Sequence, residues 1–205
     1  MGAAGAAGGG GCSVASIDAE YSKRLRSLLS VDDIVLALEK TLKEAGEFEN
    51  TYMLFFSDHG YSQGQFRLCS HKMQVYDHGA RVPALIRGPG IAPGMQLSAI
   101  TAMADVAPTL IELAGGTAPL AMDGRSLAPL LLGKAASQAR DFTLIEYESI
   151  QDASSAPALS AVDTVNNTFR SIRWINASLD KNLLYAEFAD VLDPRGMQHY
   201  CMHVL

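Results

Sequence analysis

Thr51-Tyr52-Met53-Leu54-Phe55-Phe56 is a short, nearly continuous apolar run that stops at Ser57-Asp58-His59-Gly60. Its brevity and aromatic content read as a strand buried on both faces, as in a parallel sheet covered by helices. Ahead of it, Val31, Ile34, Val35, Leu38 and Leu42 recur at helical spacing. Ser30, with Asp33 three residues on, resembles a capping box, and Gly46 supplies a stop. The spacing predicts a helix with one buried face. A helix followed at once by a buried strand is half of a βαβ unit, so the chain reads as α/β.

Further elements follow the same logic. Val82-Pro83-Ala84-Leu85-Ile86 is a second strand, stopped by Arg87-Gly88-Pro89-Gly90, with Pro83 suited to a strand start or an edge. Asp105 is expected to cap a helix carrying Pro108 in its first turn and running to Gly115-Gly116. Asp123-Gly124 reads as a turn before a short helix, Leu127 to Leu132. Thr168–Trp174 and Leu183–Phe188 read as a strand pair after a Ser/Ala-rich boundary at residues 152–161. Residues 1–16, rich in Gly and Ala, are expected to form a disordered leader. Residues 17–150 and 151–205 divide the remainder.

Composition sets limits. At 205 residues, 48% apolar and 19% charged, the chain has an ordinary globular make-up. Its 16 Lys and Arg are scattered and the net charge is -6, which gives no sign of a nucleic-acid partner. No apolar run approaches the roughly 20 residues of a membrane span. The amino terminus lacks the basic start and continuous apolar stretch of a signal peptide. Gly2 has Ala6 where myristoylation favours Ser or Thr, which leaves a flexible leader as the simpler reading. Cys12, Cys69 and Cys201 form neither an even disulfide framework nor a C-x-x-C pair.

The end of the buried strand carries the chemistry. In open α/β sheets, sites lie beyond the carboxyl ends of strands, and Ser57-Asp58-His59-Gly60 stands there. A carboxylate beside an imidazole could ligate a divalent cation; equally, Asp58 could cap the next turn and His59 be a surface residue. Spacing alone does not separate the two. Two residues are also too few, since Ca²⁺ takes six or more oxygens. Residues 61–81 form a polar loop too long for a plain connection, holding His71, Lys72, Asp77, His78 and Arg81. A lysine near a metal can bind a tetrahedral oxyanion, although a lone lysine is more often a solvated side chain.

The ordered motifs resemble the sulfatase family. They are Leu29-Ser30-Val31-Asp32-Asp33, Asn50-Thr51-Tyr52 leading to Ser57-Asp58-His59-Gly60-Tyr61, and Gly64-Gln65-Phe66. Arg81-Val82-Pro83, Arg87-Gly88-Pro89-Gly90, Asp105-Val106-Ala107-Pro108-Thr109-Leu110 and Met122-Asp123-Gly124-Arg125-Ser126-Leu127 complete the set. The order is most similar to the branch of N-acetylglucosamine-6-sulfatases and heparan endosulfatases, over about residues 20–190. The resemblance implies an alkaline-phosphatase-like α/β sandwich with a mostly parallel sheet, here incomplete, and the start of a smaller carboxyl-terminal subdomain. It also implies hydrolysis of a sulfate ester on a sulfated sugar or glycosaminoglycan, with Ca²⁺ and a formylglycine. Asp58 would ligate the metal, His59 would touch metal and sulfate, and Lys72 would bind the sulfate or bridging oxygen. A lysosomal or secreted location goes with that family, and the sequons at Asn166 and Asn176 suit it.

Several residues depart from the pattern. Ser62 stands where the branch usually has His, and Gly79 where an Asp usually precedes the Arg-Val-Pro strand. Tyr76-Asp77-His78-Gly79-Ala80-Arg81 is nearer to the Tyr-Glu-Gly-Gly-x-Arg of arylsulfatases. Cys12-Ser13-Val14-Ala15-Ser16 does not match the family's Cys-x-Pro-Ser-Arg, and Asp32-Asp33 is not its early aspartate pair. The chain is therefore expected to lack the nucleophile, to be cut at both ends and to be inactive alone. A strand at 51–57 without neighbours would leave an open edge and bare apolar faces, so the isolated chain is expected to be aggregation-prone.

Overall fold

The computed structural model describes residues 13–68, 72–134, 140–148, 168–176, 179, 181–189 and 202–204. The three cysteines, His71, Asn166 and the 152–161 boundary lie outside them.

The first element is longer than the apolar spacing suggests. Helix α1 runs Val14–Glu44 and is capped by Ser13, whose side chain accepts from the Ser16 N–H while Ser16 Oγ receives the Ser13 N–H. Ser30 is thus interior to the helix, and residues 13–16 belong to it rather than to a flexible leader. The stop at Gly46 is as expected: it has φ +73, and the chain closes with Gly46 N–H donating to the Lys43 carbonyl and Glu47 N–H to that of Leu42. The expected buried face is absent. No residue of α1 is buried, and Ile34 and Leu38 lie open on the predicted apolar stripe.

Strand β1, Met53–Phe56, and strand β2, Ala84–Arg87, fall where the apolar runs place them, with Pro83 just ahead of β2. They pair antiparallel, Met53 opposite Arg87 and Phe56 opposite Ala84. Parallel pairing and burial on both faces were expected; the described strands all pair antiparallel, and Phe55 and Phe56 are each 40% exposed. The reason is the connection. Between Phe56 and Ala84 the only α-helix among the described residues is α2, Asp77–Ala80, too short to carry the chain back for a parallel return. Arg87 braces the entry to β1: its guanidinium lies 3.7 Å from the Phe48 ring centroid and donates to the Phe48 carbonyl.

Helix α3, Val106–Leu113, ends at Gly115 (φ +82), and α4, Ala128–Leu131, follows the Asp123-Gly124 turn. Asp105 does not cap α3 with its side chain. It is fully buried and accepts from the Ala102 and Arg125 N–H groups at 2.8 and 2.7 Å and from the Arg140 guanidinium. Its carboxylate therefore fastens the start of α3 to the 125 turn and to Arg140.

Strands β3 (Phe142–Tyr147), β4 (Thr168–Asn176), β5 (Lys181–Ala189) and β6 (Met202–Val204) form an antiparallel sheet in sequence order. Its first strand precedes residue 150, and Ile100 bridges to Arg140 just ahead of it. Phe169, Leu184 and Ala186 of this sheet bury Val75 from the polar loop, with Tyr76, Ile145, Tyr147 and Phe188 around them. That cluster joins the loop below the candidate site to the sheet.

Candidate functional site

Gly60 sets the shape of the turn after β1. Its N–H donates to the Gly79 carbonyl at 2.8 Å. A Cβ there would lie 1.9 Å from the His78 carbonyl oxygen, so only glycine lets the turn lie against α2. Ser62 completes the junction: it is buried, and its Oγ lies 2.9 Å from His78 Nε2. Burial pushes the His78 imidazole below its ordinary pKa, against the opposing pull of Asp77. Tyr76 stacks on Phe66 and on the His78 ring, with centroids 4.6 and 5.6 Å away, and Phe66 also meets His78 at 5.8 Å.

On this base the structure brings together the three residues named from sequence. Asp58 Oδ1 accepts the His59 N–H at 2.9 Å, and Ser57 Oγ donates to the His59 carbonyl. His59 Nδ1 lies 2.7 Å from the Gly60 carbonyl oxygen. A carbonyl carries no proton, so the shared proton is on Nδ1. Nε2 faces Lys72 Nζ at 2.8 Å, and Asp58 Oδ2 lies 3.2 Å from the same nitrogen. One carboxylate oxygen and one imidazole nitrogen thus meet at a single edge, and Lys72 Nζ lies against it.

The electrostatics agree. The His59 N–H holds the Asp58 carboxyl below its ordinary pKa; desolvation opposes this, and the charges of His59 and Lys72 add to the lowering. Asp58 and Lys72 are exposed and His59 is partly covered, so all three are open to a ligand. The donor chemistry of Asp58 and His59 fits a divalent cation. The set is not complete for Ca²⁺, which takes six to eight oxygens, and no group of three or more His, Cys, Asp and Glu comes together among the described residues. These residues form one side of such a site.

Asp77 and His78 of the polar loop are engaged elsewhere. Asp77 receives Arg173 Nε and Nη2 at 2.9 and 3.2 Å, which ties α2 to β4. His78 is taken by Ser62. Cys12 lies outside the described residues, and Ser13 beside it is occupied as a helix cap. The cleft at Asp58 and His59 has an opposite wall, Glu20, Lys23 and Arg24 of α1, with Gln63 beside them. Sequence reading missed that wall; the i, i+3, i+4 spacing of those residues was the available signal. The close approach of Gly60 to His78 and Gly79 had no local signal beyond the glycines themselves.

A family profile described as Sulfatase matches residues 6–116, and one described as N-sulphoglucosamine sulphohydrolase, C-terminal, matches 64–201. The human N-acetylglucosamine-6-sulfatase is 38% identical over 194 residues, covering 87% of this chain and 35% of its own length. The extracellular sulfatase SULF-1 homolog of Drosophila melanogaster is 46% identical over 113 residues, 55% of this chain and 10% of its own. A solved structure in complex with its substrate D-glucosamine-2-N,6-O-disulfate superposes with TM-score 0.66 at 27% identity, covering 81% of this chain and 31% of that one. A phosphonate monoester hydrolase from Silicibacter pomeroyi gives 0.63 at 31%, with 80% and 31% covered. The chain spans about a third of the length of the N-acetylglucosamine-6-sulfatase it matches.

Proposed function

Because the chain belongs to the sulfatase family, with that family's alkaline-phosphatase-like α/β fold, we propose that the turn after β1 is the metal- and sulfate-binding part of a sulfate-ester hydrolase acting on a sulfated sugar. The observation that carries this reading is the meeting of Asp58 Oδ2, His59 Nε2 and Lys72 Nζ around one exposed edge.

In this reading each residue takes a role that its geometry supports. Asp58 presents a carboxylate held ionised by the His59 N–H, ready to ligate a cation. His59 has its ring fixed by Nδ1–H on the Gly60 carbonyl, which aims Nε2 at the same point. Lys72 approaches that point as an ammonium, placed to bind a sulfate oxygen and to offset charge on the bridging oxygen as the S–O bond breaks. A bound Ca²⁺ would supply Lewis acidity to the sulfate oxygens. The attacking formylglycine of the family has no counterpart in Cys12-Ser13-Val14-Ala15-Ser16, so this chain is proposed to bind a sulfate ester without turning it over. A lysosomal or secreted setting, and a glycosaminoglycan or an N-acetylglucosamine 6-sulfate as substrate, belong to the same reading.

A second reading has its own support in the likeness to a phosphonate monoester hydrolase: the same clamp would hold a phosphoester. A third is a non-catalytic binding remnant of the scaffold. The test is a form extended by the family's Cys-x-Pro-Ser-Arg segment, assayed with an aryl sulfate and an aryl phosphate. Hydrolysis of the sulfate supports the proposal. Hydrolysis of the phosphate alone favours the second reading, and binding of sulfated sugar with neither reaction favours the third.

A further inference from the structure

The hydrolytic reading leaves the far wall of the cleft unused. Lys23 and Arg24 stand on the α1 face that looks across to Ser57–Tyr61, with Glu20 one turn before them. Both are exposed, and neither pairs with a carboxylate among the described residues. Arg24 is held in place: its Nη1 donates to Gln63 Oε1 at 2.8 Å, while Ile17 two turns earlier stands 3.2 Å from where a Gly64 Cβ would be. A guanidinium has five N–H donors, so this tether leaves Nε and Nη2 to receive an anion. Lys23 and Arg24 thus set two cationic side chains in the cleft against the carboxylates of Glu20 and Asp58. One of those carboxylates, Asp58, is already committed to the cation-binding edge.

From this placement we infer that Lys23 and Arg24 form a second anion subsite, so that the cleft selects a sugar carrying a further anionic group beside its scissile sulfate. The inference rests on the sulfate reading of Asp58, His59 and Lys72. The second group is a sulfate or a uronate carboxylate; both present the oxygen pair that a tethered arginine can bind from two nitrogens. Gln63 is a positioning residue: it fixes Arg24 and leaves ligand binding to it.

The test titrates the 205-residue chain by calorimetry, at low and moderate salt, with three probes: glucosamine 6-sulfate, a disulfated glucosamine, and a 6-sulfated disaccharide containing a uronate. Lys23→Gln with Arg24→Gln is expected to weaken both doubly anionic probes about fivefold, as the loss of two exposed charge contacts should. It should also flatten their salt dependence and leave glucosamine 6-sulfate unchanged. Gln63→Ala should weaken them less, and Arg24→Lys should restore part of the loss. These sites are on the exposed face of a helix, and circular dichroism checks that the helix stays. An effect on the disulfated probe alone assigns the subsite to sulfate, and on the uronate probe alone to carboxylate. Unchanged affinity for both, or equal weakening of all three, overturns the subsite while the sulfate reading stands. If the unsubstituted chain binds none of the three, the sulfate reading falls and the subsite with it.

Discussion

Replacing Gly60 by alanine probes the contact that shapes the site. The added methyl would stand 1.9 Å from the His78 carbonyl oxygen and 2.8 Å from its carbon. Both are backbone atoms, so no side-chain rotation relieves the clash, and the turn must part from α2 by about 1 Å. Overpacking of this kind costs about 1–3 kcal/mol. The Gly60 N–H bond to the Gly79 carbonyl, 2.8 Å long, would be stretched or lost at about 1 kcal/mol more. A total of roughly 2–4 kcal/mol is large beside the ~5–15 kcal/mol that holds a domain together. It also moves Asp58 and His59 off their shared edge with Lys72, and a misplacement near 1 Å costs on the order of 100-fold in turnover. Urea melts followed by circular dichroism read the first effect, and aryl sulfate turnover in the extended form reads the second. Gly46→Ala is the control: nothing lies within 4 Å of its Cβ, so it should lose only the roughly 1–2 kcal/mol of a left-handed alanine and leave turnover alone. If Gly60→Ala melts and turns over like the unsubstituted protein, the packing of the turn on α2 is not what holds the site.

Three more outcomes are expected. Asp105→Ala should cost about 3–5 kcal/mol in a urea melt, because it strands the Arg140 guanidinium and the N–H groups of Ala102 and Arg125; a loss under 1 kcal/mol would show the pair to be incidental. His78 is held below its ordinary value of 6.5 by burial, so the unfolded chain takes up this proton first. Its contribution is therefore intact above about 6.5 and lost as pH falls toward the lowered folded value. His78→Gln should flatten the melting profile over that window, and an unchanged profile would contradict the assignment. The open stripe on α1, with Ile34 66% exposed, should make the chain associate as its concentration rises; light scattering should show this and Ile34→Glu should reduce it, whereas a monodisperse monomer with a sharp melt would oppose it.

How much of this was legible in the sequence depended on the range of the interaction involved. The β1 and β2 runs, the Gly46 and Gly115 stops and the β4–β5 pair were readable because local apolar pattern and turn chemistry decide them. The start of α1 was not, since the Ser13–Ser16 capping box lies in a stretch whose composition argues for disorder. Strand β3 was missed, and antiparallel pairing was misread as parallel because an apolar run of four to six residues carries no direction. Asp105 looked like a cap because Asp often is one; its partners Arg125 and Arg140 are 20 and 35 residues away. Asp58 and His59 were legible from residue type at a strand end, but Lys72 joined them only through family resemblance. No pattern places its ammonium 2.8 Å from an imidazole 13 residues earlier.

The most direct measurement is aryl sulfate turnover by the form extended with the Cys-x-Pro-Ser-Arg segment, compared with its Asp58→Ala and Lys72→Ala variants. Both side chains are exposed, so urea melts of the variants should match the parent. Each variant is expected to lose at least ~100-fold in turnover, the scale of a lost charge-stabilising group. Near-full activity in either variant, with the fold intact, would remove that residue from the sulfate clamp and contradict the account.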